Sequence, residues 1–196
     1  SATLYKKINQ AWELDTILFS PGSPAGFGNA ACMNDDFLFV SAPEDNTLGE
    51  QIGSVFIYQR TGNSWQLTQN IFPNFVDEQT HFGNQLALSG EFLFARNNKG
   101  PDGYASVEVF HLENGQWNFT QSFTGMRATS LSSNGELVII LGSEFNDVFE
   151  YLPKIFTCTL QGESWVVSNT LVIAEPTIND FTDVSISSQN KMVVSE

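Results

Sequence analysis

Short apolar runs alternate with polar turns along the whole chain, and almost no stretch carries a helical period. Four segments, LYKKINQAW, IYQRTGNSW, VFHLENGQW and TCTLQGESW, share one layout: a β-prone run, a polar turn, and a second run that opens at a Trp. The turns are Asn9-Gln10, Thr61-Gly62-Asn63, Glu113-Asn114-Gly115 and Gln161-Gly162-Glu163. Gly and Asn tolerate the positive φ of tight hairpins, so each segment predicts a hairpin. The tryptophans are Trp12, Trp65, Trp117 and Trp165, about fifty residues apart.

A second hairpin precedes the first in each period. FGNAACMNDDFLFVSAP (27–43), FGNQLALSGEFLFA (82–95), MRATSLSSNGELVIILG (126–142) and FTDVSISSQNKMVVS (181–195) align. Each predicts an alternating strand, a tight turn, then a nearly continuous apolar strand such as FLFV or LVII. Such a strand is expected to be covered on both faces. Four short antiparallel strands in every fifty residues predict an all-β fold, a β-propeller of four-stranded antiparallel blades. The strands amount to about four blades in one domain: a half-blade at 1–19, blades at 27–72, 82–123 and 126–173, and a half-blade at 181–196. Each Trp is expected to pack as core against the adjacent sheet. The two half-blades are expected to combine, within one molecule or between molecules, placing Tyr5 and Leu14 in one sheet with Val184 and Val193; the remaining option is that the chain is a segment of a larger propeller.

These residues resemble the FG-GAP repeat, the blade unit of integrin α-subunit propellers. The best matches are Phe27-Gly28 followed by Ser41-Ala42-Pro43, Phe82-Gly83 followed by LALSGEFLFA, and GSVFIYQRTGNSW (53–65). The third unit departs from the pattern with Met126-Arg127, and the fourth keeps Phe181 but loses the Gly. The resemblance implies a propeller at the cell surface or outside the cell. It does not bring the calcium sites of that family. The connections Asn34-Asp35-Asp36, Ser89-Gly90-Glu91, Ser133-Asn134-Gly135 and Ser188-Gln189-Asn190 are too short to offer the ~6–8 oxygens calcium takes. This is the short-hairpin variety, and no metal and no cofactor are expected. The Gly after Phe is read as letting the innermost strand crowd the channel.

Charge narrows the partners. Eight Lys and Arg stand against 22 Asp and Glu, a formal net charge of −14, so the clustered basic residues that hold phosphates are missing and nucleic acid is not expected. No apolar run approaches the ~18 residues of a membrane-spanning helix. Cys32 and Cys158 are too few for a disulfide framework and read as buried free thiols. His81 and His111 share no ligand spacing, and no GxSxG elbow is present.

No catalytic residue is assigned. The individual parts of the chain are the loops PEDNTLGEQIG (43–53), NNKGPDGYA (97–105) and SEFNDVFEYLP (143–153). Variable loops on a rigid scaffold are where binding concentrates. They nominate Asp45, Asn46, Glu50, Asn97, Asn98, Asp102, Tyr104, Asn146, Asp147 and Tyr151 as ligand contacts, Tyr with Asn and Asp suiting a protein or glycan. Asn118-Phe119-Thr120 is an N-glycosylation sequon. The expected function is a non-catalytic surface or secreted binding module. The alternative is a structural subunit assembling with itself through its half-blades, and a hydrolase using channel carboxylates ranks below both.

Overall fold

The structure is a computed structural model, and it describes residues 1–145, 151–173 and 182–195. β1 (Ala2–Ile8) and β2 (Ala11–Leu18) form a two-stranded first sheet. β3 (Ala31–Met33), β4 (Phe37–Ala42), β5 (Ser54–Thr61) and β6 (Ser64–Ile71) form a second sheet in that order. The third sheet holds β7 (Leu86–Ser89), β8 (Phe92–Asn97), β9 (Ser106–Glu113) and β10 (Gln116–Phe123). The fourth holds β11 (Ser130–Ser133), β12 (Val138–Phe145), β13 (Tyr151–Gln161) and β14 (Ser164–Val172). β15 (Asp183–Ile186) and β16 (Met192–Ser195) form a two-stranded fifth. The protein is all-β, with antiparallel pairing between neighbours in every sheet. No helix among the described residues is long and apolar enough to cross a membrane.

The second strand of each full sheet explains the stacking. β4 is buried at every position, and successive side chains leave a strand on opposite faces. Phe37 and Phe39 therefore enter one apolar layer, with Val55, Ile57, Leu93 and Phe110. Leu38 and Val40 enter another, with Leu4, Phe56 and Tyr58. Phe92 and Phe94 meet Val138, Ile140 and Phe156 in a third. Ile139, Leu141 and Ile155 meet Val184 in a fourth. Each layer joins one sheet to the next in chain order, and each large side chain it buries contributes about 1.5–3 kcal/mol. The first strands of the full sheets line one concavity through Cys32, Leu86, Leu88, Leu131 and Ser133.

Each Trp-bearing hairpin slips register by one residue, three positions after the Trp, at Asp15, Thr68, Thr120 and Ser168. The Thr68, Thr120 and Ser168 hydroxyls donate across the bulge to the carbonyls of Ile57, Val109 and Thr157 at 3.2, 3.1 and 3.1 Å. Asp15 pairs with Lys6 instead, at 2.9 Å. The next residue in two hairpins is a Gln that reaches the following sheet. Gln69 donates to the Trp117 carbonyl and accepts from its N–H, both at 2.9 Å. Gln121 holds Trp165 in the same way, at 2.8 and 2.9 Å.

Trp117 lies edge-on to Phe37 and Phe39 of the preceding sheet, with ring centroids 5.4 and 4.8 Å apart. Trp165 lies likewise on Phe92 and Phe94, at 5.7 and 5.0 Å. Trp65 faces a two-stranded sheet with no such Phe pair and is only half-buried. Trp12 corrects the expectation that every Trp is core: among the described residues no sheet covers its face, and it is 69% exposed. β1–β2 and β15–β16 are separate sheets, so within this chain Tyr5 and Leu14 do not share a sheet with Val184 and Val193.

The Phe-Gly motif has a different cause from crowding at a channel. Gly83 has φ +81°, and a Cβ there would lie 2.8 Å from Val55 Cγ2 and 3.0 Å from Ser41 Cβ, both on the preceding sheet. Gly83→Ala is therefore expected to destabilise by about 1–3 kcal/mol, from left-handed strain plus a displaced sheet contact. A urea titration with an unchanged midpoint would contradict this. Cys32 and Cys158 are free and in different sheets, Cys32 half-buried and Cys158 buried. Burial pushes the Cys158 thiol up to about 12.

Candidate functional site

Two loops meet between the third and fourth sheets, 98–105 after β8 and 124–129 before β11. Asp102 organises both. Its Oδ1 accepts from Tyr104 N–H at 3.0 Å, closing the first loop, and its Oδ2 accepts from Gly125 N–H at 2.6 Å in the second. Arg96 crosses the same seam, its Nε donating to the Ala128 carbonyl at 2.6 Å and its Nη1 to Asn98 Oδ1 at 2.8 Å. Above this brace the Arg127 guanidinium stacks over the Tyr104 ring, 4.3 Å from its centroid. Asp102, Tyr104, Gly125, Arg127 and Glu144 line the groove, and Arg96, Asn98 and Ser143 line its continuation.

Arg127 occupies the place that Gly28 and Gly83 hold in the two preceding units, and it keeps their left-handed backbone, φ 37° against 93° and 81°. A non-Gly residue there carries strain of about 1–2 kcal/mol. Its side chain reaches Tyr104 in the loop that precedes β9, a contact Gly cannot make. Lys154 also enters this region, paired with Glu144. Arg96, Arg127 and Lys154 are three of only eight basic residues in the chain, so the groove is less acidic than its surroundings.

The nominated residues divide by environment. Asn98, Asp102 and Tyr104 come together at this groove. Asp45 is buried, its carboxylate accepting from Thr47 N–H and Oγ1 and from Ser54 Oγ at 3.0, 2.6 and 2.6 Å. Asn46 closes its own loop by accepting from Gln51 N–H, and Glu50 is exposed beside it. Asn97 is fully buried and donates to Glu108 at 3.1 Å. Asn146 and Asp147 lie outside the described residues, and only the backbone of Tyr151 is described. Asn118 is exposed on β10, and Thr120, the other half of its sequon, is the bulge hydroxyl bonded to Val109.

Glu108 and Arg127 were missed by sequence reasoning. Glu108 is 1% exposed, and its carboxylate accepts from Asn74 N–H at 2.7 Å, Phe75 N–H at 3.2 Å and the Asn97 amide. Burial raises its carboxyl above the usual range, and the three hydrogen bonds oppose that rise. For Arg127 the signal was present in the sequence, as Met-Arg standing where the two preceding units have Phe-Gly.

His111 stacks on Phe92 with ring centroids 4.2 Å apart, and its Nδ1 lies 3.2 Å from Glu113. Among the described residues no three His, Cys, Asp or Glu side chains converge on a metal position. The Asn34 and Asn134 oxygens close their own hairpin turns by accepting backbone N–H groups. The groove therefore belongs to an all-β protein of stacked four-stranded antiparallel sheets. No protein-family model matches the chain, and no curated protein matches it.

Proposed function

We propose that the chain is a stretch of β-propeller of the FG-GAP kind, and a non-catalytic module that binds a protein or glycan in the groove between the third and fourth sheets. Sheets packed in chain order, with their first strands lining one concavity, support the propeller reading. A surface or secreted location rests on the resemblance and belongs to the same proposal. The observation that carries the binding reading is Arg127: a strained backbone is kept where glycine serves the two preceding units, and what it adds is a cation over an exposed Tyr. An aromatic platform flanked by Asp102, Glu144 and Asn98 offers apolar contact with hydrogen-bond acceptors, as polar sugars and peptide segments require.

The test is a glycan array and a peptide display screen with the fluorescently labelled chain, repeated with Tyr104→Ala and Arg127→Gly. Both variants are expected to fold, since Tyr104 is 42% exposed and Gly relieves the strain at 127. Both should bind the captured ligand about tenfold or more weakly. Undiminished binding by both variants overturns the assignment to this groove.

A further inference from the structure

The groove does not end at Asn98. A row of side-chain amides leads from it across the third sheet to the second. Asn98 Oδ1, which accepts from Arg96 Nη1 at 2.8 Å, also accepts from Asn84 Nδ2 at 3.1 Å. Asn84 Oδ1 in turn accepts from Asn29 Nδ2 at 3.3 Å, and the Asn84 carbonyl accepts from the same nitrogen at 3.1 Å. Asn29 and Asn84 stand directly after Phe27-Gly28 and Phe82-Gly83, ahead of β3 and β7. The third unit has Ala128 at that place, so the row of amides stops where Arg127 and Tyr104 begin.

We propose that this row extends the groove into a site for a neutral oligosaccharide, a proposal that rests on the groove being a binding site. Tyr104 carries one sugar ring, and the amides of Asn98, Asn84 and Asn29 take hydroxyls of the units that follow.

The first support is open hydrogen-bonding capacity. Among the described residues Asn29 Oδ1 and Asn98 Nδ2 have no partner, and both residues are exposed. Asn84 Nδ2 donates once, to Asn98, and an amide nitrogen has two hydrogens to give. Free donors and acceptors thus mix along the row, and a sugar hydroxyl, which both donates and accepts, meets either. A peptide would have to match that order with its own N–H and C=O groups, and successive amides give its side chains no apolar pocket. The second support is preorganisation. Each amide is already held by its neighbour, so little rotamer freedom is lost when a ligand binds. Charge is the third. The three amides are neutral and the chain carries a formal net charge of −14, which repels uronic, sialic and sulfated sugars.

The test is calorimetric titration of the 196-residue chain with neutral oligomers of glucose, mannose, galactose and N-acetylglucosamine, one to four units long. At least one series should bind, with affinity rising with length. Asn29→Ala removes the far end of the row. It should weaken the longest oligomer by about three- to tenfold, the range for one lost hydrogen bond, and so reduce the gain from length. A merely structural role for Asn29 would weaken all lengths alike. Asn29 is exposed, so this variant is expected to fold; if it does not, Asn98→Ala carries the same expectation. Failure of all four series to bind overturns the proposal, as does equal affinity for one unit and four, or an Asn29→Ala chain that keeps the wild-type gain from length. Peptides held through Tyr104 with no oligomer bound would overturn the ligand class and leave the groove reading standing. Oligomers bound equally well by Tyr104→Ala would overturn both.

Discussion

Truncation of Trp117 to Ala is expected to destabilise the chain by about 3–5 kcal/mol, the range for large aromatic side chains lost from a core. The indole is 2% exposed, lies edge-on to two Phe rings, and has its backbone gripped by Gln69. Little can collapse into the space it leaves, because the Phe37 and Phe39 rings are themselves held in a strand buried at every position. Trp165→Ala should behave alike, since Phe92, Phe94 and Gln121 repeat the arrangement. Trp65→Ala should cost less, and Trp12→Ala should leave the chain within about 0.5 kcal/mol of wild type, as exposed substitutions do. Urea denaturation of the four variants gives the order directly. Equal losses at Trp12 and Trp117 would contradict the role assigned to the preceding sheet.

Loss of the Glu108 carboxylate has the second largest expected effect. Glu108→Ala should destabilise by about 3 kcal/mol, because it leaves the Asn74 and Phe75 N–H groups and the Asn97 amide without an acceptor. Glu108→Gln should cost less, since one oxygen remains while the new NH2 faces a donor. The pH dependence has a definite sign. The folded-state pKa lies above the unfolded value, with burial the largest cause. The neutral carboxyl is thus favoured by folding, and its contribution is fully present below the unfolded value of about 4.3. That contribution is lost as pH rises through the raised folded value. The stability advantage of wild type over Glu108→Gln should therefore shrink from acid toward neutral pH. Denaturation midpoints for both proteins across that range test it, and a constant difference would contradict the shift.

Periodicity alone made the strands legible. Alternation, Gly and Asn turns, and a Trp every fifty residues are local signals, and each constrains a backbone of only a few residues. That is why the four-strand unit, its order and its doubly buried second strand could be read from residues such as Phe37–Ala42. Of the site, Asn98, Asp102 and Tyr104 were legible as loop residues of binding type. Arg127 stood out in sequence only as a departure from Phe-Gly, because its meaning depends on the Tyr104 ring it reaches from another loop. Asp45 and Asn97 show the converse: a polar residue in a loop-like sequence says nothing of whether its hydrogen bonds go inward or to a ligand.

Local pattern therefore determined the all-β class, the hairpins and the repeat. Only the tertiary structure decided which tryptophans are core, since burial belongs to the sheet that precedes each Trp and not to the Trp itself. It also decided that Gln69 and Gln121 latch neighbouring sheets, that Gly83 answers to Val55 and Ser41, and that the two terminal hairpins stand apart. Each of these rests on contacts between residues tens of positions apart, and the alternation that predicts a strand carries no record of what will pack against it.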